Sequence, residues 1–138
     1  MINLTNEQWK EVNGLVKSLA TDYAKGFDEE VFGKGEIHKD LEGGYEQREY
    51  GGNYFTLESE IGEQIKFVLE KAMGDESDSI DYRMVEGFYE LVMDFENWLT
   101  EQLPTGWYVY FEDGDIWVAR RWDNLEDIDE DVKYLVNE

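Results

Sequence analysis

Residues 84–103 constrain the fold of this chain more than any other stretch. Met84, Val85, Phe88, Leu91, Val92, Phe95, Trp98, Leu99 and Leu103 recur at three- and four-residue spacing, which lines one side of a helix over about 80–103 with apolar groups. Leu103-Pro104-Thr105-Gly106 ends it, because proline cannot continue the helical hydrogen bonds. So broad an apolar face needs a core to cover it. The opposite side is as marked. Glu86, Glu90 and Asp94 fall at i, i+4 and i+8, with Glu101 on the same side. Like charges at that spacing cost a helix roughly 0.2–0.5 kcal/mol per pair. Interleaved lysines would relieve them, yet no Lys occurs between Lys71 and Lys133.

Other elements can supply the cover. Thr5-Asn6-Glu7-Gln8 reads as a capping box, with Thr5 as N-cap. Trp9, Val12, Val16, Leu19 and Tyr23 then form a helical stripe that stops near Lys25-Gly26. A second helix is predicted from about Leu57 to Met73, on Leu57, Ile61, Ile65, Val68 and Leu69, with Gly74 ending it. Trp107–Phe111 and Ile116–Arg120 flank Glu112-Asp113-Gly114-Asp115, and central Asp-Gly is a favoured type I′ hairpin turn. This register sets Phe111 opposite Ile116, Tyr110 opposite Trp117, Val109 opposite Val118 and Tyr108 opposite Ala119. Both faces of the hairpin are apolar enough to be covered at least in part. A last helix is predicted over about 124–136, capped by Asn124, on Leu125, Ile128, Val132 and Leu135. Residues 27–55 mix glycines with aromatics; a short helix near 28–32 and strands near 36–38 and 45–55 are expected there. The sum is a single α+β domain over residues 1–138, mostly helical, with about four helices and a small antiparallel sheet that includes the C-terminal-half hairpin.

Charge enters because it limits partners. The 34 Asp and Glu against 12 Lys and Arg give a formal net charge of -22, where a small domain usually keeps a magnitude of about 2–8. Disorder is not the explanation, since aromatics make up 15% of the chain. Residues 1–27 are neutral, with three acids and three bases. Thirteen acids against three bases fall in residues 57–104, and ten against three in residues 105–138. Within the last of these, Asp123, Glu126, Asp127, Asp129, Glu130 and Asp131 fall within nine residues. Such a surface repels nucleic-acid phosphates and anionic membranes, so direct binding to either is disfavoured. No apolar run nears the ~18 residues of a membrane span. No signal-peptide pattern opens the chain, and Cys is absent, which fits a cytoplasmic protein.

No catalytic or metal motif emerges. Asp127, Asp129, Asp131 and Glu138 match the acid spacing of a calcium loop, but Val132 stands where that loop needs Gly. His38 is the sole His and has no identifiable triad partner. Arg120-Arg121-Trp122 is too small a basic cluster for a nucleic-acid site; Trp107 stacked on Arg120, or internal pairing with nearby acids, is the expected use. Tyr108, Tyr110, Trp117 and Trp122 are expected first to pack between sheet and helices; the exposed member is the alternative candidate for a partner anchor, since aromatics and Arg dominate binding hot spots. No catalytic residue, metal ligand or cofactor is therefore assigned.

In size, charge and lack of catalytic residues the chain resembles small acidic phage-type inhibitors, including DNA mimics that block restriction enzymes, CRISPR nucleases or repair glycosylases. The resemblance implies a cytoplasmic monomer or homodimer. Its carboxylates would stand in for phosphates on a basic nucleic-acid-binding protein, a nuclease or defence effector. The carboxylates expected to meet that partner are Glu86, Glu90, Asp94 and Glu101, then Asp123, Asp127, Glu130 and Asp131. An immunity protein for a nuclease toxin shares this physics. A salt-adapted or merely soluble acidic domain and an undetected enzyme are the remaining readings.

Overall fold

The computed structural model describes residues 2–137. Helices α1 (Asn6–Lys25), α2 (Tyr54–Met73) and α3 (Phe88–Gln102) pack on a five-stranded sheet. Its strands are β1 (Ile37–Lys39), β2 (Tyr45–Asn53), β3 (Tyr108–Glu112), β4 (Asp115–Trp122) and β5 (Val136–Asn137), in the spatial order β3-β4-β2-β1-β5. Every neighbouring pair is antiparallel except β1 with β5, so the sheet is mixed rather than antiparallel throughout.

Local chemistry sets the helix ends. The Thr5 hydroxyl accepts from Gln8 N–H and the Gln8 side chain returns the bond to Thr5 N–H, which is the expected capping box. Helix α2 begins at Tyr54, three residues ahead of the predicted start, because Asn53 at the end of β2 accepts from Thr56 N–H and caps it directly. The hairpin has the predicted register. Asp113 and Gly114 both take positive φ, 52° and 79°, as a type I′ turn requires.

Three predicted helices are corrected. The third starts at Phe88, not near residue 80. Ile2 pairs in parallel with Val85, and its amide and carbonyl bond Met84 and Glu86, which draws that stretch out of the helix. Gly87 then turns the chain at φ 94°, where a Cβ would meet the Trp9 ring. The last predicted helix, 124–136, is replaced by 3-10 turns at Leu125–Asp127 and Glu130–Leu135 followed by β5. The pairs Glu126/Glu130 and Asp127/Asp131 would each have set like charges four residues apart on that helix. Aspartate and β-branched residues are also weak helix formers. Ile128 is still buried, and Val136 pairs with Ile37. Near residues 28–32 the chain makes turns rather than a helix.

The core lies between the helices and one face of the sheet. Val12, Val16, Ile61, Ile65, Phe88, Phe95 and Leu99 meet Val109 and Ile116 there. Where the sheet leaves that cluster, Gln47 takes over. Its Nε2 donates to the Gly33 and Gly35 carbonyls at 2.8 and 2.7 Å, and its Oε1 accepts from Arg120 Nε at 2.7 Å. Arg120 in turn lies between the Trp107 and Trp122 rings, 4.9 and 4.7 Å from their centroids, which includes the stacking expected of Trp107.

Candidate functional site

The eight carboxylates singled out in the sequence are all exposed. Glu90, Asp94 and Glu101 project from α3 on the side away from Phe88, Leu91, Phe95 and Leu99. Glu86 is not part of that helical row, because it precedes Gly87 in the turn ahead of α3. Tyr89 and Met93 are exposed beside the row, so the surface of α3 is mixed acidic and apolar. Asp123 follows β4, Asp127 ends the first 3-10 turn with Asn124 Nδ2 bonded to its carboxylate, and Glu130 and Asp131 open the second turn. Helix α3 runs into β3 at one edge of the sheet, whereas Asp127, Glu130 and Asp131 belong to the stretch leading to β5 at the other. Asp131 nevertheless lies close enough to the Arg120 guanidinium on β4 to act on it electrostatically. The carboxylates thus sit on several separate elements rather than in one continuous helical row.

The cations do not neutralise these carboxylates. Lys71 pairs with Glu11, Arg83 with Glu58, Arg48 with Glu112, and Arg121 with Asp40 and Glu46. Among the described residues, only Glu130 of the eight carboxylates has an ion-pair partner, Lys133 at 2.9 Å. Such an exterior repels itself, and screening should stabilise the fold. The melting temperature is expected to rise between low salt and ~0.5 M NaCl, where the Debye length is about 4 Å. A flat or falling melting curve series would remove self-repulsion as a significant cost.

A second surface emerged only from the strand register. Side chains on opposite sides of β2, β3 and β4 divide into two sets. Val109, Val118, Phe111 and Ile116 face the helices, and the last of these is fully buried. Tyr108, Tyr110, Glu112, Trp117, Arg48, Tyr50, Arg121 and Glu46 lie on the outer face, which no helix covers. Both hairpin faces are thus covered at least in part: the helices cover one, while on the other Tyr108, Tyr110 and Trp117 are half-buried and Ala119 is fully buried. On the outer face Arg48 lies 4.4 Å from the Trp117 ring centroid, and its Nη1 reaches Tyr110 Oη at 3.5 Å. Tyr50 meets the same Trp117 edge-on at 5.9 Å. Burial pushes the Tyr108 and Tyr110 phenols up, and the Glu46 carboxylate adds to this in both, against the pull of Arg121 on Tyr108 and of Arg48 on Tyr110. The hairpin aromatics were visible in the sequence. Their partners on β2 were not, because Tyr45-Glu-Gln-Arg-Glu-Tyr50 shows no alternation of apolar and polar residues.

Among the described residues no group of His, Asp and Glu is placed to hold a metal ion. The Asp127–Asp131 stretch forms 3-10 turns rather than a calcium loop, and Glu138 lies outside the described residues. His38 is an exposed side chain on β1, 3.6 Å from the Glu36 carboxylate. Among the described residues no helix is long and apolar enough to cross a membrane. Comparisons with protein-family models, with curated proteins and with solved structures found no match.

Proposed function

We propose that this chain is an acidic inhibitor. Its carboxylates take the place of nucleic-acid phosphates and block the basic DNA- or RNA-binding surface of a nuclease-type defence protein, as an anti-CRISPR or anti-restriction factor in the cytoplasm. One observation carries the reading: the eight named carboxylates are exposed, and seven of them form no ion pair among the described residues. A basic surface would neutralise them and release its counterions, and long-range attraction would speed the encounter. The reading assigns the chain no reaction and no cofactor.

The test is capture followed by competition. The immobilised protein is exposed to host lysate, and bound proteins are challenged with duplex DNA. A nuclease released by DNA supports the reading, whereas a captured protein that DNA does not displace argues against mimicry. Release of a co-encoded toxin nuclease would assign the same surface to an immunity protein. With a partner in hand, changing Glu86 and Glu90 to Gln and Asp94 to Asn should weaken binding about tenfold, as expected for three charges each contributing roughly 0.5 kcal/mol. The fold should persist. Unchanged affinity would remove the α3 patch from the interface.

A further inference from the structure

We infer that the exposed apolar patch at the starts of α2 and α3 docks a basic amphipathic helix of a partner protein. The inference deepens the proposed function and rests on it only for which protein carries that helix. Phe55 is 62% exposed, Tyr89 52% and Met93 63%. Tyr54 joins them into one surface. Its ring meets Phe55 edge-on at 5.6 Å. Burial pushes its phenol up, and Glu58 and then Tyr89 add to this, which makes Tyr89 its neighbour. Met93 follows Tyr89 by about one helical turn. Aromatic rings and a methionine gathered on a surface with a polar rim mark a protein-docking site.

The rim is acidic and unpaired. Glu86, Glu90 and Asp94 accompany Tyr89 and Met93, and the Phe55 ring lies against Gly114 in the hairpin turn, between Asp113 and Asp115. None of these carboxylates forms an ion pair among the described residues. Helix α3 has no basic residue from end to end. Arg83, the cation that acts on Tyr54, is held by the Glu58 carboxylate at 2.7 Å. Charge therefore selects the occupant. Nucleic acid and anionic membranes are repelled, and a second copy would bring the same carboxylates. Geometry selects a helix. Tyr89 and Met93 stand about 6 Å apart along the α3 axis, the pitch of i and i+4 side chains on any second helix. Apolar residues of a helix laid along α3 meet them, while its lysines and arginines meet Glu90 and Asp94.

The test is a nuclear magnetic resonance titration of the full-length protein with a synthetic helical peptide of about 14 lysines, leucines and alanines, its leucines on one face. A scrambled peptide of the same composition and charge lacks that face and isolates the electrostatic part. In ~0.5 M NaCl, where the Debye length is about 4 Å, the amphipathic peptide should bind at least about fivefold more tightly than the scrambled one. Shifts should concentrate at residues 54, 55, 89, 90, 93 and 94. Tyr89→Ala with Met93→Ala, both at exposed positions that leave the fold intact, should weaken the amphipathic peptide about tenfold and the scrambled one by less than about twofold. Phe55→Ala should weaken the amphipathic peptide about threefold. Phe67→Ala, at an exposed ring further along α2, should change neither. Equal affinity for the two peptides, shifts centred on the outer face of the sheet, or unchanged binding by the double alanine variant would overturn the docking face. Those outcomes leave the inhibitor reading standing if DNA still displaces a captured nuclease. Peptide docking on this patch without a DNA-displaceable nuclease would sink the inhibitor reading alone.

Discussion

Replacing Gln47 with Leu should lower the stability of the domain by roughly 2–4 kcal/mol, a drop of about 10 °C in melting temperature for a chain of this size. Gln47 is fully buried, and each of its polar atoms is used. Its amide nitrogen donates to two backbone carbonyls, those of Gly33 and Gly35, and its oxygen accepts from Arg120. Leucine matches the volume but leaves two carbonyls and one guanidinium N–H without those partners. An abandoned buried donor or acceptor costs about 1–3 kcal/mol. Half-exposed Gly33 and Gly35 regain some water, which keeps the expected total below the full sum. Amide exchange should quicken in residues 27–35 before the rest of the molecule, because this segment loses its tie to the sheet. Arg120→Met combined with Gln47→Leu should cost less than the two single changes added, since the second change removes a group already unpaired. A loss below about 1 kcal/mol for Gln47→Leu would show that the amide holds nothing that water cannot replace.

That network marks the limit of what the sequence reveals here. The helices were legible where apolar spacing was regular and an end signal was present, as at Thr5 and Gly74. The hairpin was legible because Asp113-Gly114 fixes both turn and register. Strands near 36–38 and 45–55 were expected, and β1 and β2 lie there; which face of β2 turns inward was not legible, because its inward residues are Tyr45, Gln47 and Glu49, and period-two alternation carries no signal when the buried member is an amide. Strand β5 was hidden for another reason. Leu125, Ile128, Val132 and Leu135 keep helical spacing, but repulsion among the intervening acids and pairing of Val136 with Ile37 decide the outcome. The exposed carboxylates were legible individually. Their placement on separate elements was not, since Glu86 falls in a turn ahead of α3 and the last predicted helix gives way to 3-10 turns.

Gly62 supports the second large prediction, which reverses sign with its surroundings. Glycine inside a helix is ordinarily a defect, less favourable than alanine by about 1 kcal/mol. Gly62 lies mid-way along α2 and is buried. A Cβ built there would fall under 3.0 Å from ring carbons of Tyr82, closer than real Cβ contacts allow. The ring lies against the bare helix backbone and cannot easily retreat. It packs on Phe88 at 5.0 Å, while Asp81 caps the turn that carries it and the Arg83 guanidinium lies over its face at 5.4 Å. Gly62→Ala should therefore destabilise the protein by roughly 1–3 kcal/mol despite the better propensity, and Gly62→Val by more, because overpacking displaces both helix and ring. Tyr82→Ala alone should cost about 3 kcal/mol through lost aromatic burial. In that background Gly62→Ala should become stabilising by up to about 1 kcal/mol, since only the propensity difference remains. Urea unfolding of the four proteins measures the cycle. If alanine at position 62 destabilised both backgrounds equally, the ring contact would not be the reason for glycine at this position. If it stabilised both, α2 and Tyr82 would have room to separate, and the close approach would not constrain the sequence.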